Sequence, residues 1–238
     1  MLKRPIYERL ATLFEYPGPE YAAAAAAVLE EARDKCPEAV PHLEAFSALL
    51  PYGRVEDPEV AMEEVYTRTF DVQATTTLDV GYVVFGDDYK RGELLVNLSR
   101  EHREAGISCG DELADHMTNL LRLLAVRDKD DDLDDLVGMV LAPALRQMTG
   151  EFTPSRQEAK DKQYKKHHRT LIETSAERFE IYSHALKAVY AALECDFDLS
   201  TGDRPPVETS DFLESLGREL EIEADEQGPQ EQRMPGTC

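Results

Sequence analysis

Positive charge is what this sequence has least of. Lysine and arginine total 26 against 48 aspartates and glutamates in 238 residues, a net charge of −22. A field of that sign repels phosphate backbones and anionic headgroups, which excludes nucleic acid and membrane surfaces as natural partners. The same excess fits a salt-rich cytoplasm, and solubility alone also selects for it. Cysteine is scarce as well: Cys36, Cys109, Cys195 and Cys238 lie far apart with no CxxC pair. That spacing argues against zinc-type sites and short secreted disulfide frameworks, and predicts reduced thiols in a cytoplasmic protein. Long hydrophobic runs are missing. The segment YAAAAAAVL at 21–29 is far shorter than the about 20 residues that span a bilayer, and it sits between Glu20 and Glu30. The N-terminal MLKRPIYERL has basic residues but no apolar stretch behind them, so neither an export signal nor a membrane span is expected. Two-residue alternation bounded by hairpin turns is also lacking, which speaks against a sheet. Finally, HExxH, GxGxxG, GxSxG and the Walker lysine loop do not occur, so the usual hydrolase, nucleotide and dinucleotide signatures are excluded.

Helical periodicity is what fills the chain. Ile6, Leu10, Leu13 and Phe14 form one stripe that YPGP at 16–19 interrupts, and the alanine-rich 20–35 has strong helix propensity. Prolines at 37, 41, 51 and 58 punctuate helices near 38–50 and 58–70. Further helices are predicted over 89–105 and 110–126, the second carrying Leu113, Met117, Leu120, Leu121 and Leu124. RDKDDDLDD at 127–135 reads as a solvated loop feeding the next helix, with a kink at Pro143. TPSRQE at 153–158 suits a capped helix start, and Leu171, Ser175, Phe179, Tyr182, Leu186, Val189 and Leu193 keep helical spacing. From Glu194 onward acids outnumber bases 13 to 3. The expected architecture is therefore all-α: a single helical-bundle domain over 1–195, followed by an acidic, largely disordered tail over 196–238 with a marginal apolar patch at Phe212, Leu213, Leu216 and Leu220.

Few residues suggest chemistry. His102, Asp115 and His116 could nominally furnish ligands for a helical metal-dependent hydrolase, although histidines at a helix surface or core edge are the commoner case. The basic run KDKQYKKHHR at 160–169 reads as a solvated face balancing the surrounding acid. One stretch stands apart. TFDVQATTTLDVGYVVFGDDYKRGE at 69–93 sets β-branched residues, aromatics and glycines before a block of opposite charges, Asp87, Asp88, Lys90, Arg91 and Glu93. Its glycines, Gly86 and Gly92, are read as serving backbone geometry rather than contact.

Three elements around that stretch carry a resemblance. Tyr66, Thr69, Phe70 and Asp71 match a Tyr-x-x-Thr-Phe-Asp element. Gly86, Asp87, Arg91 and Gly92 match Gly-Asp-x-x-x-Arg-Gly, and Glu112, Leu113 and Asp115 match the start of Glu-Leu-Pro-Asp-x-Leu-Pro, with Ala114 and Thr118 where prolines are usual. Residues 62–126 thus resemble the nitrate reductase delta-subunit family of molybdoenzyme assembly chaperones, the NarJ type of the wider TorD and DmsD group. The resemblance is weak over the first 60 residues and does not reach the tail. It implies a cytoplasmic, non-enzymatic helper of the TorD/NarJ helical fold, monomeric or weakly dimeric and without a cofactor. Such a helper binds the N-terminal peptide of a molybdoenzyme's catalytic subunit during insertion of the molybdenum cofactor. A physical reading agrees: an apolar groove edged by acid would hold an amphipathic, basic peptide. The candidate binding residues are Tyr66, Phe70, Tyr82 and Phe85 for the apolar surface and Asp71, Asp87, Asp88 and Glu112 for its rim, with Arg91, Asp115 and His116 also in the peptide-binding set; no metal ligand or catalytic group is expected.

Overall fold

Helix follows helix because apolar residues recur at the helical period and prolines or glycines stop each run. The computed structural model describes residues 2–156 and 180–199. The chain divides into two units, Met1–Leu199 and Ser200–Cys238. The second unit, including the expected tail patch, lies outside the described residues, as do the basic run at 160–169, Glu158, and Leu171, Ser175 and Phe179.

The first helix, α1 (Pro5–Ala11), begins at a proline and runs into a 3₁₀ turn at Thr12–Phe14. Ile6, Leu10, Leu13 and Phe14 are all buried, as their spacing requires. Next comes α2 (Tyr21–Lys35), whose small buried face of Ala25, Val28 and Ala32 lets it lie close to α1 and to α3 (Val40–Leu49). Asp57 caps α4 (Pro58–Phe70), its carboxylate accepting the Val60 amide at 3.3 Å. The short α5 (Val80–Phe85) ends at Gly86, whose φ of 64° suits a residue without Cβ. Asp88 then caps α6 (Tyr89–Glu104), accepting from Lys90 at 3.0 Å. Gly92 is exposed with open space around its Cα, and nothing in its surroundings requires glycine.

The later helices build the core. α7 (Met117–Val126) packs on α1, and α8 (Asp131–Asp135) continues through a π-turn at Leu136–Leu141 into α9 (Ala142–Gly150). The irregular π-turn falls just ahead of Pro143, which has no amide to continue the helical ladder and so breaks its regularity. The final described helix, α10 (Ile181–Asp196), packs on both α3 and α9, and buries Tyr182, Leu186, Val189 and Leu193 completely. Each such side chain contributes about 1.5–3 kcal/mol on leaving water. Among the described residues, no helix is long and apolar enough to cross a membrane.

Two expectations need correction. The predicted helix at 110–126 starts only at Met117, because the preceding segment pairs elsewhere. Asp79 and His116 form an isolated antiparallel bridge, in which Val80 N donates to Asp115 O at 3.0 Å and Met117 N donates to Leu78 O at 2.8 Å. Leu113 consequently leaves the apolar stripe and is 48% exposed. In the acidic run, Asp131–Asp135 is helical rather than a loop, and Asp135 is buried rather than solvated.

Candidate functional site

The bridge at Asp79 and His116 forms one wall of a cleft of about 590 Å³. Four segments distant in sequence meet there: the 3₁₀ turn and following residues Phe14–Tyr16, the end of α4, the loop at 77–79, and the stretch from Cys109 into α7. The apolar surface is a cluster of stacked rings. Tyr66 meets Tyr16 edge-on at 5.3 Å and Phe70 at 5.2 Å, and Phe70 lies 4.7 Å from the buried ring of Tyr182. Edge-to-face contacts of this kind fix ring orientation beyond what burial alone does. Hydrogen bonds anchor the cluster from behind. Tyr66 donates to Phe14 O at 3.2 Å, while Tyr182 Oη lies 3.2 Å from Tyr21 Oη, which itself donates to Leu13 O at 2.7 Å.

Acid dominates the edge. Burial, followed by the negative charges of Glu112 and Asp71, pushes the Tyr66 hydroxyl up to about 12, so the phenol stays neutral. Asp71 and Glu112 are both exposed at the rim. The cleft's arginine, Arg122, is paired with Glu15 and lies 3.9 Å from Glu8. Its charge is therefore already balanced, and the rim presents a negative field to an incoming ligand.

His116 is the N-cap of α7. Its Nδ1 accepts the Thr118 amide at 3.4 Å and lies 2.8 Å from Thr118 Oγ1, which leaves the proton on Nε2, 3.9 Å from Glu112. Burial lowers its pKa, outweighing Glu112, Asp79 and Asp115, which act the other way. A depressed value means the unfolded chain binds the extra proton first, below about pH 6.5. Stability contributed by neutral His116 is thus complete above that value and lost as pH falls beneath it. His116→Gln is expected to flatten the decline in melting temperature between about pH 7 and 5; a slope equal to that of the parent would contradict the buried neutral imidazole.

Behind this wall stands an ion-paired triad. Arg91 Nε donates to Asp115 Oδ2 at 2.9 Å, and its Nη2 donates to Asp79 Oδ2 at 2.9 Å. The Asp115 side chain is wholly buried, with Arg91 as its ion-pair partner. Gly81 makes the arrangement possible, because a Cβ there would come within 2.6 Å of Asp115 Oδ2.

The structure therefore gathers Tyr66, Phe70, Asp71, Glu112 and His116 in the cleft, and places Arg91 and Asp115 behind it as its support. Tyr82, Phe85 and Asp87 do not line it. Tyr82 is 43% exposed beneath the Arg91 guanidinium at 5.2 Å, Phe85 is half-buried at the end of α5, and Asp87 is exposed between α5 and α6. Phe14, Tyr16, Leu78 and Tyr182 belong to the cleft or its backing and carry no sequence signal beyond helical spacing and the YPGP break. His102, Asp115 and His116 are not brought together as ligands. Both ring nitrogens of His102 face backbone carbonyls, of Leu98 at 2.6 Å and Asn119 at 3.1 Å, while Asp115 holds Arg91. No family model matches the chain, and no curated protein matches it either.

Proposed function

We propose that this protein is a cytoplasmic assembly chaperone for a nitrate reductase-like molybdoenzyme. It holds the N-terminal peptide of the catalytic subunit while the molybdenum cofactor is inserted, and it carries out no reaction itself. The observation that supports this reading best is the convergence of Tyr66, Phe70, Asp71 and Glu112 on one cleft, since these residues come from two of the three elements that carry the family resemblance. The remaining element, Gly86 to Gly92, contributes Arg91, which braces the cleft wall through Asp79 and Asp115. Rings anchored from behind accept apolar side chains of an amphipathic segment, and exposed carboxylates speed encounter with its basic residues. The protein acts as a monomer or weak dimer and needs no cofactor of its own.

The test is calorimetric titration with a synthetic peptide from the N-terminus of a nitrate reductase-like molybdoenzyme catalytic subunit of the same organism. Binding is expected, and it should weaken as salt rises, because the screening length shrinks from about 10 Å at 0.1 M to about 3 Å at 1 M. A peptide that fails to bind at every ionic strength would remove the reading.

A further inference from the structure

Away from the cleft, two cysteines separated by 159 positions meet. Cys36 follows α2 directly, and Cys195 lies in the last turn of α10, about 20 Å along that helix from Tyr182. Contact is enforced by the fold: α10 packs on the 3₁₀ turn Pro37–Ala39 that begins immediately after Cys36. The two Sγ atoms are 3.1 Å apart, and Cys195 Sγ also donates to Glu38 Oε2 at 3.0 Å. The pair is asymmetric, since Cys36 is 2% exposed and Cys195 is exposed.

We propose that Cys36 and Cys195 form a redox-modified pair that closes to a disulfide by exchange with a low-molecular-weight disulfide. The exposed Cys195, once deprotonated, attacks a sulfur of the small disulfide and forms a mixed disulfide, expelling one small thiolate. Cys36 then attacks the Cys195 sulfur as a thiolate, forming the internal S–S bond and expelling the second. Two protein thiols lose two electrons, the small disulfide gains them, and the two released protons go to the two small thiolates. Partial burial of the Cys195 sulfur, reinforced by Glu38, which accepts a hydrogen bond from it, holds the thiol in its protonated form and makes the pair slow toward weak oxidants. A zinc site is the competing use of the same atoms, but two sulfurs on one tetrahedral zinc stand about 3.8 Å apart at bonds of about 2.3 Å. The present contact is already shorter than that. Bonding the pair would staple the end of α10 to the α2–α3 junction and close a very long loop.

The full-length chain, treated with oxidised glutathione and then alkylated, decides the matter by intact mass and peptide mapping. The expected product is lighter by two hydrogens, contains a Cys36–Cys195 cross-link, and melts about 5–15 °C higher than the reduced chain. Reductant should reverse the shift, and Cys195→Ser, made at the exposed position, should abolish it without altering the melting of the reduced protein. The proposal is overturned if both thiols still alkylate, if a glutathione adduct on Cys195 persists unresolved, or if the cross-link runs to Cys109 or Cys238. It is equally overturned if one zinc ion per chain is retained and protects the pair from alkylation.

Discussion

Arg91→Met is expected to lower unfolding stability by about 3–5 kcal/mol, the usual cost of leaving a buried charge without its partner. The Asp115 side chain has no solvent exposure, and Arg91 bonds to both of its oxygens, at 2.9 and 3.4 Å. Removing the guanidinium strands that carboxylate beneath Gly81 and α6, where water cannot replace the lost donors. The same substitution frees Asp79 at the cleft wall, so binding of the client peptide should also suffer. Adding Asp115→Asn to Arg91→Met removes the stranded charge and should recover part of the loss. Chemical denaturation of the parent and the two variants checks this. A cost below about 1 kcal/mol would mean that the pair behaves like one on the surface.

Phe70→Ala is expected to weaken client-peptide binding by about 1–3 kcal/mol, which is roughly 5- to 150-fold in Kd. The ring is half-buried, lies 4.7 Å from Tyr182 and faces the cleft. Some stability should be lost with it, but less than the about 3–5 kcal/mol of a fully buried phenylalanine. Tyr82→Ala serves as the control, because Tyr82 lies outside the cleft against Arg91. It should leave affinity unchanged. Calorimetric titrations and thermal melts on both variants separate the outcomes: a loss of affinity in Tyr82→Ala with none in Phe70→Ala would place the binding surface on α5 rather than in the cleft.

The helices were legible where local signals decide them. Proline and apolar spacing place α1, α2, α4 and α6 close to their observed bounds, because burying one stripe per helix is a local demand on the sequence. At 110–116 the same signal misled. Leu113 keeps helical spacing with Met117 and Leu120, yet the segment forms turns that end in the bridge at His116, where Val80 N donates to Asp115 O and Met117 N donates to Leu78 O. A pairing across more than thirty residues leaves no trace in local periodicity. Asp135 is a second case: a run of aspartates reads as a solvated loop, but Asp131–Asp135 is helical and Asp135 is buried.

The cleft was half legible for a related reason. Tyr66, Phe70 and Asp71 occupy one helix end and announce themselves as an odd aromatic and acidic group. Tyr16 joins them only because Phe14 and Tyr66 are joined by a hydrogen bond across 52 positions, and Tyr182 only because α10 packs behind them. Arg91 and Asp115 were counted among the peptide-binding residues, whereas their burial and mutual bonds make them braces of the wall.

The most direct measurement is photo-cross-linking of the client's N-terminal peptide, carrying a photoreactive phenylalanine, to the full-length protein, with the adducts mapped by mass spectrometry. Adducts at Tyr16, Tyr66, Phe70 or Leu78, suppressed by excess unlabelled peptide, are the predicted result. Competed adducts confined to residues outside the cleft, such as Tyr82 or Phe85, would contradict the account.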